Sequence, residues 1–283
     1  MSKVLVTGGA GFIGSYLCRK LIEAGKEVVV LDNLTKNKGE DLWGLPVELV
    51  MGDVRNIADI QKAMYEVEVV YHLAAIADIT QCQNDFEKAI SVNCEGTWRI
   101  LTIGVKAKVK RLVFTSSAAI WGNSIYGITK RIGEGYCDIV RQAGLSTIAL
   151  RLFNVYGSGS AGVIPRFIKA IEKGKDITVF GDGEQTRDFI YIEDVVWALM
   201  RAGESTRVGV MNVGTGNGTT VNQVYAQIIK GMTQDNKIGV KYESAKAEDI
   251  ARSVADIQDS RWLLPEKVTS LEDGIAKMKG MNK

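Results

Sequence analysis

Apolar and polar positions alternate with two different periods along the first part of this 283-residue chain. Short apolar runs rich in β-branched residues predict strands over 3–7, 27–31, 47–51, 69–73, 111–116 and 146–152. Between them, apolar residues recur with the spacing of one helical face over 13–24, 58–65, 93–106 and 126–143. This order is typical of an α/β protein with a doubly wound parallel sheet, the Rossmann arrangement, covered by helices on both faces.

The alternation ends after Asn154. Glycine and serine are frequent over 157–162, glycines at 174, 181 and 183 indicate turns, and helical and strand patterns intermix. We therefore predict a smaller, mixed α/β C-terminal substrate lobe formed by 154–185 and 204–283. The first domain is predicted to comprise 1–153 and 186–203.

Composition narrows the class of protein. Hydrophobic residues make up 46% of the chain and prolines number only three, which is typical of a folded protein. A net charge of +2 does not predict a nucleic-acid partner, and no apolar run approaches the ~20 residues that span a bilayer. The sequence starts directly on a predicted strand, without a leader pattern. We expect a cytoplasmic protein with neither a nucleic acid nor a membrane as partner.

Metal-ligating residues are few. Four cysteines lie at positions 18, 82, 94 and 137 without a CxxC pair, and His72 is the single histidine. This scatter predicts no zinc or other metal site, and it fits reduced thiols better than a disulfide framework. We interpret His72, in the fourth predicted strand, as a packed core residue.

A glycine-rich turn connects the first predicted strand to the first predicted helix. Its glycines, Gly8, Gly11 and Gly14, follow a GxxGxxG spacing that permits a tight turn and close approach of a pyrophosphate to the helix N-terminus. Asp32 ends the second strand 18 residues after Gly14, near the ~20 expected for a carboxylate on the adenosine ribose. Asn33, not an arginine, comes next. The pattern predicts NAD rather than NADP.

A serine, a tyrosine and a lysine form the candidate catalytic set. Ser117 follows the fifth strand, and Tyr126 and Lys130 are spaced to share one face of the next helix. A free tyrosine has a pKa of about 10, too high for a general base at neutral pH. A lysine ammonium and a positive nicotinamide would stabilise the phenolate, and a lowering of about 3 pKa units corresponds to about 4 kcal/mol.

Ten motifs along the chain support a more specific assignment. They are TGGAGFIGS, LDN, MGDVRN, YHLAA, VNCEGT, TSSAAIWG, YGITK, RLFNVYG, FGDGEQTRDFIYIEDV and NVGTG. In this order they resemble the motifs of the NAD-dependent epimerase/dehydratase family of extended short-chain dehydrogenases, and most closely its UDP-glucose 4-epimerase branch. The resemblance extends to about residue 260.

The resemblance implies a set of binding residues. For NAD they are Gly8, Gly11, Phe12, Ile13, Gly14, Asp32, Asn33, Asp53, Val54, Leu73, Ala74, Ala75, Asn93, Thr115, Tyr126, Lys130 and Phe153. For a UDP-sugar they are Ser117, Tyr126, Asn154, Val163, Phe180, Arg187, Lys246, Asp249 and Ser253, with Arg187 near the phosphates. An ion pair of Arg187 with Asp188 or Asp194 is the alternative. The resemblance also implies a homodimer formed through 93–106 and 126–143.

The sequence departs from the family pattern at two places. Tyr126 follows Ser117 by only nine residues, where the family usually has a longer loop that approaches the substrate. Either the enzyme has lost this loop or residues are missing from the sequence there, and the intact motifs on both sides favour the second explanation. Lys246 replaces a usual arginine, and a lysine cannot bind a phosphate in a bidentate fork.

A third position bears on substrate size. The resemblance implies that the residue four positions after Asp249 lies near the C2 substituent of the sugar, where a bulky aromatic would exclude an N-acetyl group. This chain has Ser253 there. We therefore predict that N-acetylated UDP-sugars enter the pocket. A shift of the alignment by one residue would instead place Arg252 or Val254 at that wall.

Individual residues distinguish among the reactions that the resembled family catalyses. Ala118 and Ala119 stand where a 4,6-dehydratase carries an acid and a base, which disfavours dehydration, and Asp32 disfavours an NADPH-dependent ketoreductase. We predict NAD-dependent epimerisation at C4 of a UDP-hexose through a 4-keto intermediate. A uronate epimerase, a decarboxylase or a non-catalytic NAD-binding regulator is the alternative.

Overall fold

The computed structural model describes residues 2–230, 238–245 and 250–280. Its strands are β1 (Lys3–Thr7), β2 (Glu27–Asp32), β3 (Val47–Met51), β4 (Val69–His72), β5 (Arg111–Ser117), β6 (Ser146–Leu152), β7 (Asn154–Tyr156), β8 (Ile177–Phe180), β9 (Thr186–Arg187), β10 (Phe189–Tyr191), β11 (Gly209–Val213), β12 (Thr219–Thr220), β13 (Val240–Glu243) and β14 (Arg252–Ser253). Its α-helices are α1 (Phe12–Glu23), α2 (Ile57–Ala63), α3 (Ile79–Asn84), α4 (Phe86–Ile90), α5 (Thr97–Lys106), α6 (Ile125–Gln142), α7 (Val163–Glu172), α8 (Ile192–Glu204), α9 (Val221–Lys230) and α10 (Leu271–Gly280).

The central sheet has seven strands in the order β11-β6-β5-β4-β1-β2-β3. β1 pairs in parallel with both β2 and β4, so the strand order reverses between β1 and β4. The prediction of a doubly wound parallel sheet is confirmed, and each of the six predicted strands is present to within one residue at its ends. In such sheets, ligands bind at the carboxyl ends of the strands, at the point of reversal.

The core explains why the strands are uninterrupted apolar runs in the sequence. One cluster of fully buried side chains combines Leu5 of β1, Val29 of β2, Val70 of β4, Leu112 of β5 and Ala149 of β6. Because helices cover both faces of a parallel sheet, successive side chains of a strand are buried on one face or the other. Apolar residues therefore follow one another along the strand instead of alternating with polar ones.

One predicted helix is divided in the structure. The segment predicted as a helix over 93–106 consists of a wide π-helical turn, Ser91–Gly96, followed by α5. The turn contains Asn93. Its amide oxygen accepts a hydrogen bond from the N–H of Ile76 at 2.8 Å, and its amide nitrogen donates one to the carbonyl of Ile76 at 3.0 Å. Single π-helical turns of this kind are frequent at functional sites.

The chain divides into two compact units. The first comprises Met1–Arg151 and Val196–Met211, and the second comprises Leu152–Val195 and Asn212–Lys283. This division differs from the predicted domains in three segments, 152–153, 186–195 and 204–211. Residues 186–195 belong to the second unit because β10 pairs with β7, and β9 pairs with β12 and β14. Residues 204–211 belong to the first because β11 extends the central sheet.

Within the described residues, the second unit contains short sheets, the helices α7, α9 and α10, and the start of α8. Within this unit, the buried carboxylate of Asp188 accepts hydrogen bonds from Thr215, Gly216 and Ala255 at 2.7–3.1 Å. Because these donors lie on two separate loops, the carboxylate fixes both of them beside β9 and β10. The unit is mixed α/β, as predicted.

The described residues were compared with what a membrane span and a metal site require. None of their helices combines the length and the apolar character that a membrane span requires. Within the same ranges, no three histidine, cysteine or acidic side chains are grouped as a metal site would need. The four cysteines are buried and not paired in disulfides.

Candidate active site

The glycine turn between β1 and α1 has no room for side chains. Gly8 has a φ of +71°, and a Cβ on it would lie 2.8 Å from the backbone nitrogen of Ala74. A Cβ on Gly14 would lie 2.2 Å from the carbonyl oxygen of Gly8. No side chain caps the N-terminus of the twelve-residue helix α1. Its first N–H groups and its dipole therefore form a site suited to an anion.

Asp32 lies beside this turn at the end of β2. One carboxylate oxygen accepts a hydrogen bond from the N–H of Ala10 at 3.0 Å, and the other accepts one from the N–H of Leu34 at 2.9 Å. These bonds orient the carboxylate while leaving lone pairs for further donors. A ribose hydroxyl is such a donor.

A second carboxylate, Asp53, follows β3. It accepts two hydrogen bonds from the guanidinium of Arg55, at 2.9 and 2.8 Å, and one from the side-chain amide of Asn33 at 3.1 Å. The Arg55 guanidinium holds the pKa of Asp53 well below its ordinary value, so the group is ionised at neutral pH.

His72 lies below the turn at the end of β4. It is almost fully buried, and its two ring nitrogens are hydrogen-bonded to the hydroxyls of Thr7 and Thr97 at 2.7 and 2.9 Å. Burial, with a smaller contribution from the charge of Lys130, lowers its pKa to about 3. The interpretation of His72 as a packed core residue is confirmed.

We expect the neutral state of His72 to make folding sensitive to mild acid. Because its folded pKa lies below the ordinary 6.5, its contribution to stability is complete above pH 6.5 and declines as pH falls towards 3. Between about pH 7 and pH 5.5 the free energy of unfolding should drop by about 1 kcal/mol. Urea unfolding measures this drop, and His72→Gln, which removes the only histidine, should abolish it. If the free energy of unfolding fell equally with pH in both proteins, the neutral state of buried His72 would not be the cause.

Ser117 and Tyr126 meet across a short connection. Ser117 ends β5, and its hydroxyl accepts a hydrogen bond from the N–H of Ala119 at 3.1 Å, which starts a 3-10 turn over Ala118–Trp121. Ser124 caps α6 by accepting a hydrogen bond from the N–H of Gly127 at 3.1 Å. The side chain of Ser117 lies close enough to the Tyr126 phenol to favour its ionised form. Nine residues therefore suffice to bring these two groups together.

Lys130 lies one helical turn after Tyr126 and is buried. Its ammonium donates a hydrogen bond to the carbonyl of Thr115 at 2.8 Å and lies 5.8 Å from the centre of the Tyr126 ring. Burial lowers the pKa of Lys130 to about 8. Burial also raises the pKa of Tyr126 to about 12, although the nearby side chain of Ser117 opposes the shift. The direction for Tyr126 is opposite to the lowering that the sequence predicts, because desolvation outweighs the nearby groups.

The second unit contains a cavity of about 200 Å³. Its lining consists of Asn154, Val163, Arg166, Phe167, Thr178, Val179, Phe180, Gln185, Arg187, Phe189 and Val221. It therefore presents two guanidinium groups, an apolar wall and no acidic side chain. Such a lining favours an anionic ligand with a flat apolar part.

Comparison with known proteins agrees with this geometry. Residues 4–214 match the model of the NAD dependent epimerase/dehydratase family. The chain belongs to this family. It is 32% identical over 305 aligned positions to a UDP-glucose 4-epimerase of Mycolicibacterium smegmatis, covering 97% of this chain and 96% of the relative.

Other members of the family act on related sugars. The chain is 32% identical to a UDP-N-acetyl-alpha-D-glucosaminuronate decarboxylase of Bacillus cytotoxicus, covering 83% of this chain and 81% of the relative. Among solved structures, a UDP-glucose 4-epimerase from Thermotoga maritima with UDP-glucose is 31% identical. The two structures superpose with a TM-score of 0.91, covering 99% of this chain and 100% of that one. The family is one of NAD-dependent enzymes acting on UDP-sugars.

The site fits NAD, the cofactor of the family. Because a side chain fits at neither Gly8 nor Gly14, the turn packs tightly against α1, and a pyrophosphate can approach the helix N-terminus, which no side chain caps. The other predicted cofactor residues of the first unit lie at the carboxyl ends of the strands or just beyond them. They are Gly11, Phe12 and Ile13 after β1, Asp32 and Asn33 at β2, Asp53 and Val54 after β3, Leu73, Ala74 and Ala75 after β4, and Thr115 in β5. The exceptions are Asn93, which lies in the π-helical turn, and Tyr126 and Lys130, which lie on α6.

Phe153 is buried in the second unit, where its N–H donates to the carbonyl of Val213 at 3.0 Å. Two of the predicted substrate residues, Lys246 and Asp249, lie outside the described residues.

The structure brings four predicted substrate residues of this family member together: Asn154, Val163, Phe180 and Arg187 line the cavity. Ser253 does not line it; this residue pairs with Arg187 between β14 and β9. The carboxylate of Asp188, one of the two suggested ion-pair partners of Arg187, accepts hydrogen bonds from Thr215, Gly216 and Ala255. The other, Asp194, accepts one from the N–H of Thr269 at 2.9 Å.

The sequence analysis missed seven of the cavity residues, among them Arg166 and Gln185. Arg166 lies one helical turn after Val163 on α7, and its guanidinium is 6.0 Å from the centre of the Phe180 ring. Gln185 donates to the carbonyl of Phe180 at 2.7 Å. The spacing of Arg166 from Val163 was the available signal, because residues three apart share a helix face.

Cofactor choice can be tested at Asp32. We expect Asp32→Ala to improve the binding of NADP relative to NAD by at least about tenfold, because the carboxylate would no longer repel a 2′-phosphate. Titration of the NAD-free protein with each dinucleotide measures the ratio. Asp32→Asn, which removes the charge but keeps the shape, should shift the ratio in the same direction. An unchanged ratio in both variants would refute the role of Asp32.

Proposed function

We propose that this enzyme epimerises a UDP-hexose at C4, in the manner of the UDP-glucose/UDP-galactose interconversion, through a 4-keto intermediate. The observation that carries the proposal is the contact between Tyr126 and Ser117 above buried Lys130. Immediately after Ser117, the 3-10 turn presents Ala118 and Ala119, which cannot transfer protons. The site is equipped to deprotonate and reprotonate one hydroxyl, which is what epimerisation requires.

Each residue then has a defined role. When bound at the glycine turn, NAD would supply the hydride chemistry at C4, and its positive nicotinamide ring would favour the Tyr126 phenolate. Tyr126 removes the proton of the 4-hydroxyl. Ser117 donates a hydrogen bond to the reacting oxygen. Lys130, fixed by the carbonyl of Thr115, keeps a positive charge near the phenol ring.

We assign the cavity of the second unit to the nucleotide. Arg187 and Arg166 provide two positive charges for a diphosphate, and Phe180 provides an apolar surface for a base. The first unit, with its glycine turn, is assigned to NAD. The buried, free thiols fit the reducing cytoplasm that we propose as the location.

Decarboxylation of a UDP-uronate is the second candidate. The similarity to the Bacillus cytotoxicus decarboxylase favours it. Oxidation at C4 of a uronate creates a keto group β to the C6 carboxylate, which then leaves as CO₂ while a proton takes its place at C5. Tyr126 and Ser117 would act in the same way in this oxidation. Whether epimerisation or decarboxylation follows would then depend on whether the sugar has a C6 carboxylate.

The deciding experiment compares substrates. Purified protein is first denatured to release and identify its dinucleotide, and native protein is incubated with UDP-glucose and with UDP-glucuronate while products are followed by NMR. We expect NAD and a mixture of UDP-glucose and UDP-galactose. Pentose formation with release of CO₂ would identify a decarboxylase, and galacturonate a uronate epimerase. Bound NAD without any turnover would identify a regulator.

Substrate breadth forms part of the proposal. Ser253 is a small, half-buried residue opposite Arg187, and we propose that the pocket admits UDP-N-acetyl sugars. Parallel kinetics with UDP-galactose and UDP-N-acetylgalactosamine test this. Ser253→Tyr should lose the acetylated substrate selectively. If wild type ignores that substrate, or the variant keeps it, Ser253 does not control access.

We also propose a homodimer. Exposed apolar side chains are grouped on α4, α5 and α6: Phe86, Ile90, Trp98, Ile128, Ile132 and Ile139. A patch of this kind on the helices implicated by the sequence fits a second copy. Light scattering at micromolar concentration should give the dimer mass, and Ile132→Glu should give the monomer mass with NAD still bound. A monomeric wild type would reject the dimer.

A further inference from the structure

A buried ion pair lies next to the catalytic residues, and the proposed reaction does not use it. Glu134 on α6 and Arg151 on β6 are joined at 2.8 Å, and their side chains are 8% and 26% exposed. We propose that this pair is a positioning element for Ser117, setting turnover by fixing the chain on both sides of that serine. The inference rests on the proposed function for the role of Ser117.

The helix face relates the pair to the catalytic residues. Tyr126, Lys130 and Glu134 follow one another at intervals of four on α6 and so project from the same face. The first contacts Ser117, the second contacts the carbonyl of Thr115, and the third contacts Ser116. Three successive turns of α6 thus bind three successive residues at the end of β5.

The contact with Ser116 holds the strand before Ser117. The hydroxyl of Ser116 donates to one oxygen of Glu134 at 2.5 Å. The guanidinium of Arg151 donates to both oxygens of the same carboxylate, at 2.9 and 2.8 Å. This bidentate geometry leaves the carboxylate one orientation, which a single-point contact would not.

The contact with Trp121 holds the chain after Ser117. The guanidinium carbon of Arg151 lies 5.3 Å from the centre of the Trp121 ring, a cation–π distance. Trp121 ends the 3-10 turn that begins directly after Ser117. Arg151 therefore acts on both sides of the serine, through Glu134 and Ser116 on one side and through Trp121 on the other.

A small displacement matters at such a position. Misplacing a reacting group by about 1 Å can lower the rate by about 10²-fold. Arg151→Lys keeps the positive charge but loses both the fork and the flat stacking surface. We expect kcat to fall by at least about tenfold in this variant, with KM and bound NAD unchanged, because Arg151 is neither a predicted binding residue nor part of the cavity lining.

The control is Arg141→Lys, which changes an arginine of α6 paired with exposed Asp138. It should leave kcat, KM and NAD content at wild-type values. Trp121→Leu removes the stacking contact while both members of the ion pair stay unmutated, and it should lower kcat with unchanged KM. It keeps the test valid if Arg151→Lys does not fold.

A readout without substrate separates this inference from the proposed function. In protein labelled with fluorotyrosine, the fluorine NMR signal of Tyr126, identified by its loss in Tyr126→Phe, reports the contact with Ser117. The chemical shift of this signal should change in Arg151→Lys and in Trp121→Leu, and it should stay at the wild-type value in Arg141→Lys. If no UDP-sugar is converted by wild type, the proposed function fails, while a moved signal still supports the positioning role. Wild-type kcat and an unmoved signal in folded Arg151→Lys or in Trp121→Leu would overturn the inference.

Discussion

Replacing Tyr126 by phenylalanine should lower turnover of the UDP-sugar by at least about 10²-fold, the lower range for a positioned general base. In the proposed mechanism the phenol takes the proton from the 4-hydroxyl, and it lies near Ser117 at the end of β5. Bound NAD should remain at wild-type content, because the glycine turn and Asp32 are unchanged. Steady-state kinetics and release of NAD on denaturation measure both quantities.

The matched control is Tyr136→Phe on the same helix. The ring of Tyr136 contacts Trp98 at 5.0 Å between centroids, and phenylalanine keeps that contact. This variant should retain wild-type turnover. Near-normal activity in Tyr126→Phe would remove Tyr126 from the mechanism and leave Ser117 as the remaining candidate for proton transfer.

Gly14→Ala should abolish copurification of NAD and destabilise the first unit. The added methyl would lie 2.2 Å from the carbonyl oxygen of Gly8 and 2.7 Å from the Cα of Gly9. Both atoms are backbone, so the turn itself must move away from α1, at a cost of about 1–3 kcal/mol. The movement displaces the N–H groups that would bind the pyrophosphate. Dinucleotide content and thermal unfolding measure the two effects.

Gly135→Ala provides the control. Nothing lies within 4 Å of a Cβ at Gly135, which is exposed in the middle of α6. Alanine favours a helix over glycine by about 0.5–1 kcal/mol, so this variant should be as stable as wild type or more stable, with full NAD content. Similar behaviour of the two variants would show that close packing at Gly14 is unimportant.

By itself, the sequence determined the features that depend on neighbours along the chain. The six central strands and the glycine turn follow from hydrophobic period and local backbone preference, which act over a few residues. The ordered motifs were sufficient for the family and its cofactor, both of which are confirmed. The spacing of Tyr126 and Lys130 similarly predicts a shared helix face, and the structure has it.

Only the tertiary structure decided the features that depend on residues distant in sequence. The boundary at 186–195 depends on the pairing of β10 with β7, which no local pattern reports. The raised pKa of Tyr126 depends on how completely the fold removes water from the phenol. The approach of Arg151 to Glu134 depends on β6 and α6 lying together. Such contacts arise from packing between elements, and packing is a property of the folded chain.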